Sequence, residues 1–169
     1  EIFYLTPTKI DINTQILFVI HGNKRNAEDY ISAWIPFLEN KNIIVVAPKF
    51  DKNNFRYFFL LESATSSGEI NKNSDEYINK SISLFFNFFK SKYPWESNKY
   101  KMFGHSAGAQ FTHRYMLLSD DRRISNAVIA NAGWYTFLNG ENFPYGIKNT
   151  PIDISNDHIK WFMSNKASL

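Results

Sequence analysis

Residues 15–20, Gln-Ile-Leu-Phe-Val-Ile, form an unbroken β-branched and aromatic run between Asn13-Thr14 and His21-Gly22. A run without polar alternation has no face to give to water, so a strand made from it must be covered on both sides. Two further runs have the same character: residues 43–47, stopped by Pro48, and residues 127–130, stopped by Asn131-Ala132-Gly133. Residues 100–103 make a fourth. Helical patterns fall at residues 27–38, 75–89 and 107–118, and the clearest of them places Ile78, Ile82, Phe85 and Phe89 on one face. Parallel strands need crossover connections, so strands alternating with helices predict the α/β class: a mostly parallel sheet flanked by helices.

At 169 residues and 44% hydrophobic content the chain supports one domain with a real core. Its charged fraction of 21% is too low for a disordered chain. No apolar run approaches the ~18 residues of a membrane span. The net charge of +3 comes from basic residues scattered singly among Asn and Glu, so nucleic acid is not an expected partner. The absence of cysteine excludes a disulfide framework, a zinc-thiolate site and a cysteine nucleophile. The chain opens at Glu1 with no charged leader and apolar stretch, so any targeting segment is expected to have been removed or never to have existed, and no compartment is read. Residues 50–73 are the least regular stretch and are expected to form a loop or a short excursion over the sheet edge. Within them the apolar residues 55–61 suit a greasy lid or an edge buried by further strands. Asn79-Lys80-Ser81 fits a glycosylation sequon but falls on a helical pattern and is read as a chance triplet.

Gly104-His105-Ser106-Ala107-Gly108 matches G-x-S-x-G, with a strand pattern directly before it and a helix pattern directly after. A serine on a tight strand-to-helix turn is forced outward, and small residues two before and two after it keep the backbone clear of its neighbours. Gly104 and Gly108 fill both places, which makes Ser106 the candidate nucleophile. The helix that begins near Ala107 directs free N–H groups at the place where an oxyanion would form. A second donor is expected from the loop behind a neighbouring strand, and His21-Gly22-Asn23 follows the first apolar run. The candidate oxyanion donors are therefore the N–H groups of Ala107 and Asn23, with Gly22 allowing close approach and His21 orienting the loop. His105 is expected to shape the pocket, His113 and Arg114 to pack or hydrogen-bond behind the turn, and Arg25 to anchor the oxyanion loop. Trp134, Tyr135 and Phe143 are placed where a cleft wall would lie at the carboxyl edge of the sheet. No Gly-rich phosphate fingerprint, His-Glu-x-x-His pair or calcium loop is present, so no cofactor or metal is implied.

With these residues in view the sequence resembles the α/β-hydrolase superfamily, and within it the esterase and polyhydroxyalkanoate-depolymerase-like branch. The resemblance runs from about residue 16 to about residue 147. It is carried by His21-Gly22 with Arg25 and Tyr30, by Ala47-Pro48-Lys49-Phe50, by residues 104–108 with Gln110-Phe111 and His113-Arg114, and by Asn131-Ala132-Gly133-Trp134-Tyr135 leading to Phe143-Pro144-Tyr145-Gly146. It implies a Ser, acid, His triad in that order, acting through an acyl-enzyme on a small-molecule or polymeric ester.

One departure follows from chain length. In the superfamily the acid and the histidine follow later strands, and after residue 130 this sequence holds a single histidine, His158. Asp153 and His158 satisfy the order but lie five residues apart around a helix start, with Ser155 as cap and Ile159, Phe162 and Met163 as the apolar face. The expectation is an incomplete α/β-hydrolase domain over residues 1–169, its acid and histidine lying beyond Ala167-Ser168-Leu169. A peptidase or thioesterase on this fold would carry the same residues. So would a noncatalytic member that keeps the serine turn for folding and binds a ligand or partner in the cleft.

Overall fold

β2 (Gln15–Ile20) is the strand around which the sheet is built. It pairs in parallel with β3 (Ile43–Pro48) on one side and with β4 (Tyr100–His105) on the other, so that Phe18 lies level with both Val46 and Met102. β5 (Ile124–Ala130) continues the parallel array beside β4, and β6 (Ala167–Ser168) beside β5. β1 (Ile2–Leu5) closes the opposite edge antiparallel to β3, giving the order β1-β3-β2-β4-β5-β6. The α/β class read from the sequence is the class observed, with one antiparallel edge strand. The computed structural model describes residues 1–164 and 167–168. Leu169 lies outside the described residues, and Ala167–Ser168 stands beside β5 where a further strand is expected.

One face of the sheet carries α2 (Ser81–Lys92) and α3 (Ala107–Leu118), which bury Ile16, Phe18, Ile20, Phe86 and Phe111 in a common core. The other carries α1 (Ala27–Ser32), packed over β1, β2 and β3 through Ala27 and Ile31 against Val19 and Val45. Among the described residues that second face is covered only in part: Val128 on β5 is 39% exposed, and Phe37 beside α1 is 69% exposed. α4 (Asn156–Ser164) packs on α3. No helix among the described residues is long and apolar enough to cross a membrane.

Several boundaries differ from the sequence reading, each for a local reason. The helix expected over residues 27–38 ends at Ser32 and gives way to a 3-10 turn, Ile35–Phe37, because Pro36 supplies no N–H and its ring excludes a continuous helix. The pattern at residues 75–89 divides into a 3-10 turn at Ser74–Glu76 and the helix α2. There the Asn73 side chain accepts from Asp75 N–H and its amide donates to Glu76, so local polar bonds compete with helix growth. The buried stripe of α2 is accordingly Ile82, Phe86 and Phe89, with Phe85 only partly buried and Ile78 ahead of the helix. Met163, expected on the apolar face of α4, is 71% exposed. β5 begins three residues earlier than its apolar run, because Ser125 and Asn126 occupy strand positions on exposed backbone.

The largest correction concerns residues 55–61. They are neither lid nor sheet edge: Phe58, Leu60 and Leu61 are fully buried, and the short 3-10 turn Phe58–Leu60 packs against α3. Phe58 stacks on Phe50 at 5.6 Å and on Phe111 at 6.2 Å, so the segment is a wall of the main core.

Candidate functional site

Because β2, β4 and β5 run parallel, their carboxyl ends share one edge, and the loops that follow them meet there. Ser106 lies between β4 and α3 with φ 56° and ψ −119°, a conformation that costs a non-glycine residue roughly 1–3 kcal/mol. Its N–H donates to Ala130 O at 2.9 Å, tying the turn to the end of β5. Its carbonyl accepts from the N–H groups of Ala109 and Gln110 at 3.0 and 3.2 Å, which starts α3 immediately. The flanking glycines are demanded by contact. A Cβ on Gly104 would collide with Gly108 O and a Cβ on Gly108 with Ile20 O, so the first turn of α3 sits directly on the end of β2.

Ala107 is the first residue of α3, and its N–H has no partner within the helix. On the facing side the loop after β2 turns sharply: Arg25 N–H donates to Gly22 O at 3.1 Å with Arg25 at φ 60°, which leaves Asn23 exposed at the tip. His21 holds this loop from below. Its Nε2 accepts the Phe50 N–H at 2.9 Å, so the ring proton is on Nδ1, 2.9 Å from Gly22 O. Burial pushes the His21 pKa down to about 4, which keeps the ring neutral. Arg25 donates to three carbonyls, those of Phe50, Phe55 and Arg56, at 2.6, 2.7 and 3.0 Å, and stacks 4.2 Å over the Phe58 ring. The two residues tie the 21–26 loop to the 50–56 segment.

Behind the turn all of α3 is buried, His113 and Arg114 included. His113 Nε2 lies 2.9 Å from Thr136 O and 3.2 Å from Thr136 N, which holds the ring on the Thr136 backbone, and burial lowers its pKa to about 4. Arg114 donates from Nε to Thr136 Oγ1 at 3.0 Å and from one terminal nitrogen to Phe59 O and Gln110 O, and its guanidinium lies 4.0 Å from the Trp134 ring centroid. It takes part in none of the ion pairs among the described residues, and burial lowers its pKa to about 9. Of the aromatics expected at the cleft wall, Phe143 is core, whereas Trp134 and Tyr135 are partly buried and the Trp134 ring lies 5.0 Å from that of the exposed Tyr145, tilted by 39°.

His105 turns away from α3 toward α1, and its Nδ1 lies 2.6 Å from the Tyr30 hydroxyl. Both residues border a cavity of about 520 Å³ that is also lined by Trp34, Phe37 and Phe103. Ser106 is not part of that lining.

Asp153 and His158 are not brought to Ser106. His158 is buried, and its Nε2 donates to Met116 O at 2.8 Å near the far end of α3, some ten residues or ~15 Å along the helix from Ser106. Asp153 is exposed. The acid and base roles considered for this pair are therefore corrected: His158 joins α4 to α3, with Ser155 Oγ capping α4 at its N–H. Nor is it a solvated helix residue. Among the described residues no group of three His, Asp or Glu side chains is placed to hold a metal ion. Sequence reading singled out Tyr30 through the resemblance but missed its bond to His105, and it missed the role of Thr136, whose hydroxyl accepts from Arg114 and donates to Pro144 O at 2.7 Å and which no local pattern marks.

Solved structures share this fold. Poly(aspartic acid) hydrolase-1 from Sphingomonas sp. KT-1 is 35% identical and superposes over 98% of this chain with a TM-score of 0.86. The chain has the α/β-hydrolase fold. The same α/β-hydrolase fold is seen in LpqC, a poly(3-hydroxybutyrate) depolymerase from Bordetella parapertussis, at 24% identity over 98% of the chain with a TM-score of 0.82. An acetyl xylan esterase from Aspergillus awamori matches 76% of the chain and 45% of its own at 18% identity with a TM-score of 0.57. The chain spans 63% of the length of the Sphingomonas hydrolase and 57% of that of LpqC. No family model matches the sequence, and neither does any curated protein.

Proposed function

We propose that this chain carries the nucleophile and oxyanion donors of a serine hydrolase that cleaves an ester through an acyl-enzyme. The observation that carries the reading is Ser106 itself, held at φ 56° between β4 and α3 with its turn seated on the end of β2. Strain of that kind persists only where the surroundings enforce it, and here it lifts one hydroxyl onto the edge where three strands end. In the proposed reaction Ser106 Oγ attacks the acyl carbon and its proton passes to a histidine base. The carbonyl oxygen becomes an oxyanion held by the N–H groups of Ala107 and Asn23. The tetrahedral intermediate collapses with protonation of the departing alkoxide, and water then attacks the acyl-enzyme by the same route.

The base is assigned outside the described residues, because each of the four histidines has another partner: His21 with Phe50, His105 with Tyr30, His113 with Thr136 and His158 with Met116. In this reading the acid and histidine belong to the part of the neighbours' length that this chain does not span, a proposal supported by its coverage of 63% and 57% of those two proteins. A polymeric substrate is supported by the depolymerase and polymer-hydrolase neighbours. A second reading, cleavage of a backbone amide in a polycarboxylate, is favoured by the 35% identity to a poly(aspartic acid) hydrolase.

The test uses the whole protein with p-nitrophenyl esters and with poly(aspartic acid), each against Ser106→Ala. Ester turnover lost in Ser106→Ala supports the first reading, and Ser106-dependent shortening of the polyacid without ester turnover supports the second. A parent protein that neither turns over nor labels with a fluorophosphonate would leave the cleft as a noncatalytic binding site.

A further inference from the structure

We infer that Tyr30 and His105 form a clamp that sets the spacing of the two oxyanion donors, making Tyr30 a positioning residue; the inference rests on the serine-hydrolase reading above. The two donors sit on separate supports. Ala107 belongs to the β4–α3 turn, which the sheet fixes through Ser106 N–H and Ala130 O. Asn23 belongs to the loop after β2, whose other anchors, His21 and Arg25, reach away from β4 to the backbone of residues 50–56. Among the described residues one side-chain hydrogen bond joins α1 and its preceding loop to the β4–α3 turn, and it is the 2.6 Å bond between Tyr30 OH and His105 Nδ1. Without it, the distance between Asn23 and Ala107 rests on packing and on the β2–β4 ladder, which ends at Ile20 and Gly104, three residues short of each donor.

The Tyr30 hydroxyl is placed to transmit this constraint. A Cβ on Gly22 would stand 3.0 Å from the Tyr30 hydroxyl and 3.5 Å from Ser106 Cβ, so hydroxyl, Gly22 backbone and serine pack side by side. The bond thus fixes His105, one residue before the nucleophile, while its hydroxyl abuts Gly22, one residue before the second donor. Donor placement matters steeply, since a misplacement of ~1 Å costs up to ~100-fold in rate. The Tyr30 ring, by contrast, lines the neighbouring cavity and does not depend on the hydroxyl for its packing.

The experiment is made on the whole protein with Tyr30→Phe, His105→Asn and His105→Leu. Asparagine keeps a polar atom near the position of Nδ1, whereas leucine keeps only bulk. For Tyr30→Phe and His105→Leu the expected result is a kcat at least tenfold lower with KM within twofold, while His105→Asn retains kcat within threefold. Amide hydrogen exchange at Gly22 and Asn23 is expected to quicken at least tenfold in the same two variants. Exchange and kcat both within twofold of the parent overturn the clamp. So does a rise in KM at constant kcat, which would make Tyr30 a substrate contact instead. Should Ser106→Ala prove as active as the parent, the serine-hydrolase reading falls, and the exchange measurement still decides whether the clamp exists.

Discussion

At Ser106 stability and the proposed chemistry pull in opposite directions. The residue holds a backbone conformation that glycine would adopt without penalty, so Ser106→Gly is expected to stabilise the fold by about 1 kcal/mol while abolishing Ser106-dependent turnover. Thermal denaturation beside an ester assay checks both halves, and a variant less stable than the parent would show that the turn is not strained. The serine turn was legible because its requirements are local: two glycines, a strand before and a helix after, all within one short window. His158 was not, because its partner, Met116 O, lies 42 residues away and a backbone carbonyl leaves no trace in sequence. Tyr30 shows the same limit, since its partner His105 is 75 residues distant.

Among the elements α3 bears the most. It supplies the proposed oxyanion donor at its start, packs on the sheet along its length and holds a buried cation at its middle. Arg114 links the 58–60 turn, α3 and the loop after β5 with one planar fork, and a single ammonium cannot reproduce that geometry. Arg114→Lys is accordingly expected to cost on the order of 1–3 kcal/mol, read as a lowered denaturation midpoint. An unchanged midpoint would mean that the carbonyls of Phe59 and Gln110 find other donors. Strands of unbroken apolar character announced themselves in the sequence, and so did α3. The run Ile2–Leu5 is apolar too, but four residues do not distinguish the half-exposed antiparallel edge that β1 forms from a covered strand. Residues 55–61 misled for a related reason: their apolarity was visible, but the surface they cover is built by Phe111 and its neighbours some fifty residues later.

For the molecule as a whole two of the three buried histidines, His21 and His113, set an acid limit. The pKa values of His21 and His113 are lowered by burial from the ordinary 6.5 to about 4. Below pH ~6.5 the unfolded chain takes up protons at these rings that the folded chain refuses until pH ~4, so stability is full above the first value and falls through that window. The ceiling is on the order of 3 kcal/mol per histidine. Glu62 works the other way: burial raises its pKa, so protonation there favours the folded state and reduces the net loss. Denaturation midpoints at pH 7, 5.5 and 4.5 are expected to fall in that order, and a flat series would mean that neither ring is neutral in the fold.

The order of the strands has a consequence in time. β2 pairs with β3 soon after both are made, but its other neighbour, β4, lies beyond residue 99. At ~5–20 residues per second the stretch from residue 49 to residue 105 occupies several seconds of synthesis. Throughout that interval one edge of β2 presents unpaired amides flanked by Phe18, Val19 and Ile20, a template for pairing with any other nascent chain in reach. The strand with the driest place in the finished sheet is the one left waiting on the ribosome, so the pace of translation bears on how much of this protein reaches its fold.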